Sequence, residues 1–136
     1  VWLGQYLFAP LGLGLEGAAL ASVAVGLGHD FPALFGFHGG KGIAVAIGAL
    51  FVCWGPAAAC IELFGIFAVL VALTRYVSVG SIASAALCPV IACFLFWGDW
   101  GAIACYFVTG MTVVWAHRGN IERLRAGNER RVGSKK

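Results

Sequence analysis

Charge is scarce in this sequence. Asp, Glu, Lys and Arg make up only 11% of its 136 residues, and 61% are hydrophobic. Soluble domains carry roughly 25% charged residues, and a soluble chain of this length has no interior large enough to hide so much apolar surface. That shortage excludes the ordinary water-soluble classes and leaves an integral membrane protein. A net charge of +3 is too small to call for nucleic acid as a partner. CxxC spacing is missing and the cysteines number five, all inside apolar stretches, so neither a zinc site nor a paired disulfide framework is expected. They read as small buried hydrophobes. The chain begins at Val1 with no methionine, basic n-region or small-residue cleavage site, so no signal peptide is identified. Fixed-period repeats and low-complexity linkers are lacking too.

Familiar catalytic and transport constellations are also missing. A Ser-His-Asp triad has no acid, because Asp30 abuts His29 and Asp99 is expected at the other face of the membrane. His29, His38 and His117 have no carboxylate at ligand spacing, so no metal is expected. A transporter more often shows a polar residue in mid-span, and Glu62 is expected near the outer end of its helix.

What the chain does have is apolar runs, at about 11–28, 42–54, 57–74, 77–97 and 100–116. A spanning helix needs about 20 such residues, fewer where the bilayer thins. The runs are broken by GHDFPALFGFHGGKG, WGP, TRYVS and WGDW. If WGP is a hairpin tip, Lys41, Arg75 and the basic C-terminal stretch share one side, as cytoplasmic loops should. Glu62 and Asp99 then fall at or towards the other side. A single span from Gly42 to Ile61 would instead strand Arg75 opposite Lys41. The expected fold is therefore an all-α, polytopic membrane bundle of about five transmembrane helices, packed through its many Gly and Ala residues. One transmembrane domain covers 1–136, with 117–136 forming a cytoplasmic juxtamembrane helix and basic tail.

Three polar segments face that inner side, where polar groups turned to lipid would be costly. In the first, Gly39, Gly40 and Gly42 allow convergent backbone N–H groups, and Lys41 adds a full charge, so the loop suits a phosphate. The nucleotide-binding pattern G-x-x-x-x-G-K-[ST] fails, since Phe35 takes its first glycine position and Gly42 its hydroxyl position. The second segment, LTRYVSVGSIAS, sets Ser78 and Ser81 on one helical face behind Arg75, a spacing that suits a phosphate or a carbonyl oxygen. Ser81 and Ser84 read more simply as packing residues, and Tyr76 as an interfacial anchor. The third, WAHRGNIERLRAGNERR, aligns His117, Asn120 and Leu124 on one helical face and Arg118, Glu122 and Arg125 on another. Glu122 is expected to pair with Arg118 or Arg125.

Together GHDFPALFGFHGGKG, TRYVSVGSI and HRGNIERLRAGNE resemble, in order and spacing, the bacterial acyl-phosphate:glycerol-3-phosphate acyltransferases of the PlsY type. The likeness runs from about Gly26 to the C-terminus. It implies a seven-helix enzyme of the bacterial inner (plasma) membrane, multi-pass, with its site at the cytoplasmic face. Such enzymes move an acyl group from acyl phosphate to the 1-position of glycerol 3-phosphate, giving lysophosphatidate and phosphate, with no cofactor. Carried over residue by residue, the resemblance makes Gly39, Gly40, Lys41 and Gly42 the phosphate loop, with Arg75 and Glu129 also on the substrate-binding side. Ser78, His117 and Asn120 become the catalytic residues. By residue type alone Glu129 is a tail residue. His38 stands where the family commonly has Lys or Arg. The family's Ser-Gly-Asn motif has no counterpart, so the resemblance implies a C-terminal part of such an enzyme, N-terminally incomplete. Acyl phosphate, glycerol 3-phosphate and membrane lipids are the expected partners, with no nucleic acid and no obligate protein partner. Either His117 or the departing phosphate takes the hydroxyl proton. The competing readings are a small anion-binding or transport protein, and an inactive fragment of such an enzyme.

Overall fold

The computed structural model describes residues 1–30 and 43–133. The glycine-rich loop, with Gly39, Gly40, Lys41 and Gly42, lies outside the described residues. Within them every regular element is helical. Helix α1 (Trp2–Phe8) and a short 3-10 turn (Ala9–Leu11) lead into α2 (Gly14–Asp30); α3 (Ile43–Cys53) follows the loop. Next come α4 (Gly55–Cys60), a π-helical stretch (Ile61–Ala68) and α5 (Val69–Thr74), which run on as one continuous helix. Helices α6 (Val77–Leu95), α7 (Trp100–Ala116) and α8 (Arg118–Arg125) complete the chain.

This is a membrane helical bundle. The continuous helix over 57–74 and α6 are long and apolar enough to cross a bilayer, with mean hydropathies of 2.3 and 2.0; α3 and α7 are shorter apolar helices. Exposed side chains such as Leu73, Phe94 and Phe107 cover the outside, the surface that lipid tails solvate at no cost. The interior is built from small residues. Ala18, Ala19, Ala85, Ala92 and Ala102 are buried, and helix packing runs α1–α2–α7–α6 with α3 against α2. Between α6 and α7, Pro89 has no N–H to offer the Ala85 carbonyl one turn back. Gly110 of α7 fills that place so closely that a Cβ would collide with the same carbonyl. Away from the polar segments, Tyr106 stacks on Phe96 at 5.4 Å and meets Trp54 edge-on at 5.6 Å.

The turn before α4 falls where the WGP hairpin is expected, with Gly55 at φ 77°. Asp99 begins α7 by accepting the Ala102 N–H at 2.9 Å, a side-chain N-cap. Two features depart from the sequence reading. Helix α1 folds back on α2, with Gly4 against Gly17, where no element is expected. Glu62 lies towards the outer end of its helix but not in water: it is 4% exposed, in the first turn of the π-helical stretch. Seven residues into the helix, or about 10 Å along its axis, its side chain turns into the bundle among Leu63, Ser84 and Cys88.

Candidate active site

Two of the three polar segments meet at one end of the bundle. Helix α5 ends at Arg75, which adopts φ 62°, ψ 17°, the one left-handed non-glycine residue among those described. That conformation costs a side-chain-bearing residue on the order of 1–3 kcal/mol and marks sites where the surroundings over-determine the backbone. The kink sends the chain through Tyr76 into α6. Ser78, in its first turn, is buried, and its Oγ has no hydrogen-bond partner among the described residues. Ser81, one turn on, donates to the Val77 carbonyl at 3.0 Å, the packing role expected of it.

The third segment begins where α7 gives way to α8. His117 sits at the junction with φ −89°, ψ 8°, and only 2% of it is exposed. Its Nδ1 lies 2.8 Å from the Val113 carbonyl oxygen. A carbonyl can only accept, so Nδ1 carries the proton, and in the neutral ring Nε2 is left as the acceptor. Asn120 N–H donates to the His117 carbonyl at 2.9 Å, which locks the two residues one turn apart. His117 and Asn120 are buried, Leu124 is half-buried, and Arg118, Glu122 and Arg125 are exposed, so the two faces divide as the helical spacing requires.

After α8 the chain reverses. Gly127 N–H bonds the Leu124 carbonyl at 3.1 Å and Asn128 N–H the Arg123 carbonyl at 2.8 Å, with Gly127 at φ 70°. This paired closure is the Schellman arrangement that a glycine permits. It lays Glu129 back over the helix it has just left. Asn120 Nδ2 donates to Glu129 Oε1 at 2.7 Å, and Arg123 Nε to Oε2 at 2.8 Å. The Glu129 side chain is 9% exposed, covered by these partners, while Arg123 is half exposed. Burial pushes the Glu129 carboxyl up. The bonds from Asn120 and Arg123, the nearby Ser78 hydroxyl and the Arg123 charge outweigh it and hold the group below the ordinary carboxylate range. Ser78 approaches that carboxylate without meeting hydrogen-bond geometry, so its contribution is one of proximity.

The structure therefore gathers Ser78, Asn120 and Glu129 around one another, with His117 joined to Asn120. Arg75 enters the same region through the backbone, where Val132 N–H bonds its carbonyl at 2.7 Å. The Glu122 pairing is corrected. Among the described residues Glu122 has no ion pair: Arg118 turns to the Trp115 ring, 4.0 Å from its centroid, and to the Trp115 carbonyl. The acid that finds an arginine is Glu129, and the arginine is Arg123. Helical spacing alone misses that pair because the chain reversal at Gly127 makes it. The glycine two residues past the helix end was the signal for such a reversal.

Residues 1–127 match the sequence family described as glycerol-3-phosphate acyltransferase. A glycerol-3-phosphate acyltransferase of Methylobacillus flagellatus is 38% identical over 99% of this chain and 65% of its own length. One of Paraburkholderia phytofirmans is 39% identical over 100% of this chain and 62% of its own. The crystal structure of PlsY, an integral membrane glycerol 3-phosphate acyltransferase, in its glycerol 3-phosphate form has a TM-score of 0.80 and 31% identity. It covers 93% of this chain and 63% of the crystal chain. The lysophosphatidic acid form gives 0.80 and 32%, with 93% and 64% covered. This chain thus spans less than two thirds of the length of these relatives. By its sequence from Val1 to Gly127 and its helical framework, the chain belongs to the glycerol-3-phosphate acyltransferase family.

Proposed function

We propose that this protein transfers a fatty acyl group from acyl phosphate to the 1-position of glycerol 3-phosphate, at the cytoplasmic face of a bacterial plasma membrane. The observation that carries the reading is the meeting of Ser78, Asn120 and Glu129 at the bundle end that also holds His117 and Arg75. Its support from outside the chain is a family whose solved structures are described as glycerol 3-phosphate and lysophosphatidic acid forms.

In this reading Arg75, Lys41 and the glycine N–H groups of residues 39–42 neutralise the phosphates. Acyl phosphate is a mixed anhydride, already activated, so the protein's task is to align two anions and offset their charge. The 1-hydroxyl oxygen of glycerol 3-phosphate attacks the acyl carbon, the carbon–oxygen bond to phosphate breaks, and inorganic phosphate leaves. The hydroxyl proton ends on that phosphate, and His117 Nε2, the acceptor nitrogen of the neutral ring, is the group we assign to carry it. Asn120, with one N–H given to Glu129, has its carbonyl oxygen and second N–H left to orient the reactants. Glu129 accepts one bond at each oxygen and keeps a lone pair on each. Its part in our reading is to set Asn120 and Arg123 on the substrate-binding side, where its spare lone pairs suit a glycerol hydroxyl and not the phosphate.

The test is inorganic phosphate release by the purified protein in lipid vesicles. Release that requires acyl phosphate and glycerol 3-phosphate together, with equimolar lysophosphatidate, is the expected result. Uptake of either anion into the vesicles without phosphate release would identify a carrier instead.

A further inference from the structure

Downstream of Glu129 the chain stays on the protein as far as Gly133. Residues 128–133 cross the junction between α5 and α6 and fasten to it at two consecutive positions. Val132 N–H bonds the Arg75 carbonyl at 2.7 Å. Arg131 donates from Nε to the Tyr76 hydroxyl at 2.9 Å and holds its guanidinium carbon 5.4 Å from the centre of the same ring. Gly133 lies beside the Arg75 guanidinium, so close that an added Cβ would sit 3.7 Å from Nη2. At its upstream end the same segment is anchored to α8 by Glu129. One short strap thus ties the α5–α6 junction to α8.

Arg75 is where the strap is needed. It caps α5 in a left-handed conformation, and a non-glycine residue holds such a conformation only when its surroundings impose it. Three of those surroundings are visible: the Arg75 N–H bond to the Val71 carbonyl at 2.8 Å, the Tyr76 N–H bond to Thr74 Oγ1 at 3.3 Å across the turn, and the Val132 bond to the Arg75 carbonyl, the one that comes from outside the segment. A change in the Arg75 backbone would swing a long side chain through several ångströms. Its guanidinium is exposed, with no packed core to hold it. A planar fork that meets phosphate in a defined geometry loses most when its root moves.

We propose that residues 128–133 form a positioning strap, and that Arg131, acting through Tyr76 and the Arg75 backbone, aims the Arg75 guanidinium at the phosphate of glycerol 3-phosphate. The aiming role rests on the acyltransferase reading; the strap itself does not. Arg131 and Tyr76 touch no reacting atom. They set the affinity for the phosphate-bearing acceptor and leave the chemical step to the groups around His117.

Two measurements separate these parts. The first is hydrogen exchange by mass spectrometry on unaltered protein, Arg131→Ala and Tyr76→Phe. Arg131→Ala should speed exchange in peptides covering Tyr76–Gly80 and Val132, with Tyr76→Phe intermediate because the ring still stacks. Unchanged exchange in Arg131→Ala overturns the strap, whatever the activity. The second is steady-state phosphate release. Arg131→Ala should raise the KM for glycerol 3-phosphate about tenfold, as for a misplaced charge-assisted contact. Values of kcat and of KM for acyl phosphate should stay within about twofold, a split that general loosening of the fold would not produce. Faster exchange with an unmoved KM overturns the aiming role and keeps the strap. Absence of phosphate release from the unaltered protein overturns the acyltransferase reading, and with it the aiming role, and leaves the exchange result to judge the strap.

Discussion

Removing the Glu129 carboxylate is the most direct way to test how the third polar segment is built. The group receives two hydrogen bonds, from Asn120 at 2.7 Å and Arg123 at 2.8 Å. The Asn120 bond joins a buried amide to a charge, and such bonds contribute about 1.5–3 kcal/mol. The Arg123 contact counts for less, because Arg123 is half exposed and screened pairs contribute about 0.2–1 kcal/mol. Glu129→Ala should therefore release about 2–4 kcal/mol of local order and leave a buried Asn120 N–H unpaired. With Asn120 adrift, kcat/KM should fall roughly ten- to a hundredfold. Glu129→Gln keeps an acceptor for Asn120 and loses only the charge, so a loss nearer threefold is expected.

The same group gives a pH signature. Its folded-state pKa is lowered, so its contribution is complete above the unfolded value of about 4.3. That contribution is lost as the pH falls through the still lower folded value. Thermal denaturation in detergent should show the unaltered protein losing stability on acidification below about pH 4.5 more steeply than Glu129→Gln, with parallel curves at neutral pH. Full phosphate release by Glu129→Ala, together with identical acid limbs, would refute the orienting role.

Three further outcomes are expected. His117→Ala should cut kcat by about a hundredfold or more, the usual worth of a positioned proton carrier. A fall of less than about tenfold would hand the proton to phosphate directly. Lys41→Ala, in the loop that suits a phosphate, should weaken substrate use about ten- to a hundredfold with folding preserved, and unchanged kinetics would leave Lys41 as a topology marker only. Gly110→Ala drives a methyl group into the Ala85 carbonyl and should cost about 1–3 kcal/mol, read as a lower Tm in detergent. An unshifted Tm would mean that α6 and α7 can separate without penalty.

The bundle was legible because its helices are long and uniformly apolar. The runs at 57–74, 77–97 and 100–116 became helices ending within two residues of those limits. Helix α1 was not legible: seven residues with no side-chain cap form a helix only because α2 offers the Gly17 surface to pack on, and that is tertiary information. Glu62 was half legible. It lies towards the outer end of its helix, as read, but that position does not say which face the side chain takes, and Glu62 is buried. A helix that is apolar on every side carries no mark of the face that turns inward. Sequence shows that a carboxylate is in the membrane helix, and only the structure shows that it turns inward.

At the site, residue types were readable and their placement was half readable, and the division follows the two left-handed residues that shape it. Gly127 is a glycine two residues past a helix end, the arrangement that closes α8 and turns the chain back. With that reversal granted, Glu129 has little choice but to return over Asn120 and Arg123, nine and six residues before it. Arg75 performs the same kind of turn at the end of α5 with a side chain that disfavours it, so nothing in LTRYVS announces a left-handed residue. Its conformation is held in part from more than fifty residues away, by the Val132 N–H. The arginine that our reading sets against a phosphate is joined at its backbone to the tail, itself almost without apolar residues. A tail that looks like solvated surface in the sequence is a structural part of the site, and shortening the protein from its C-terminus should be felt first at Arg75.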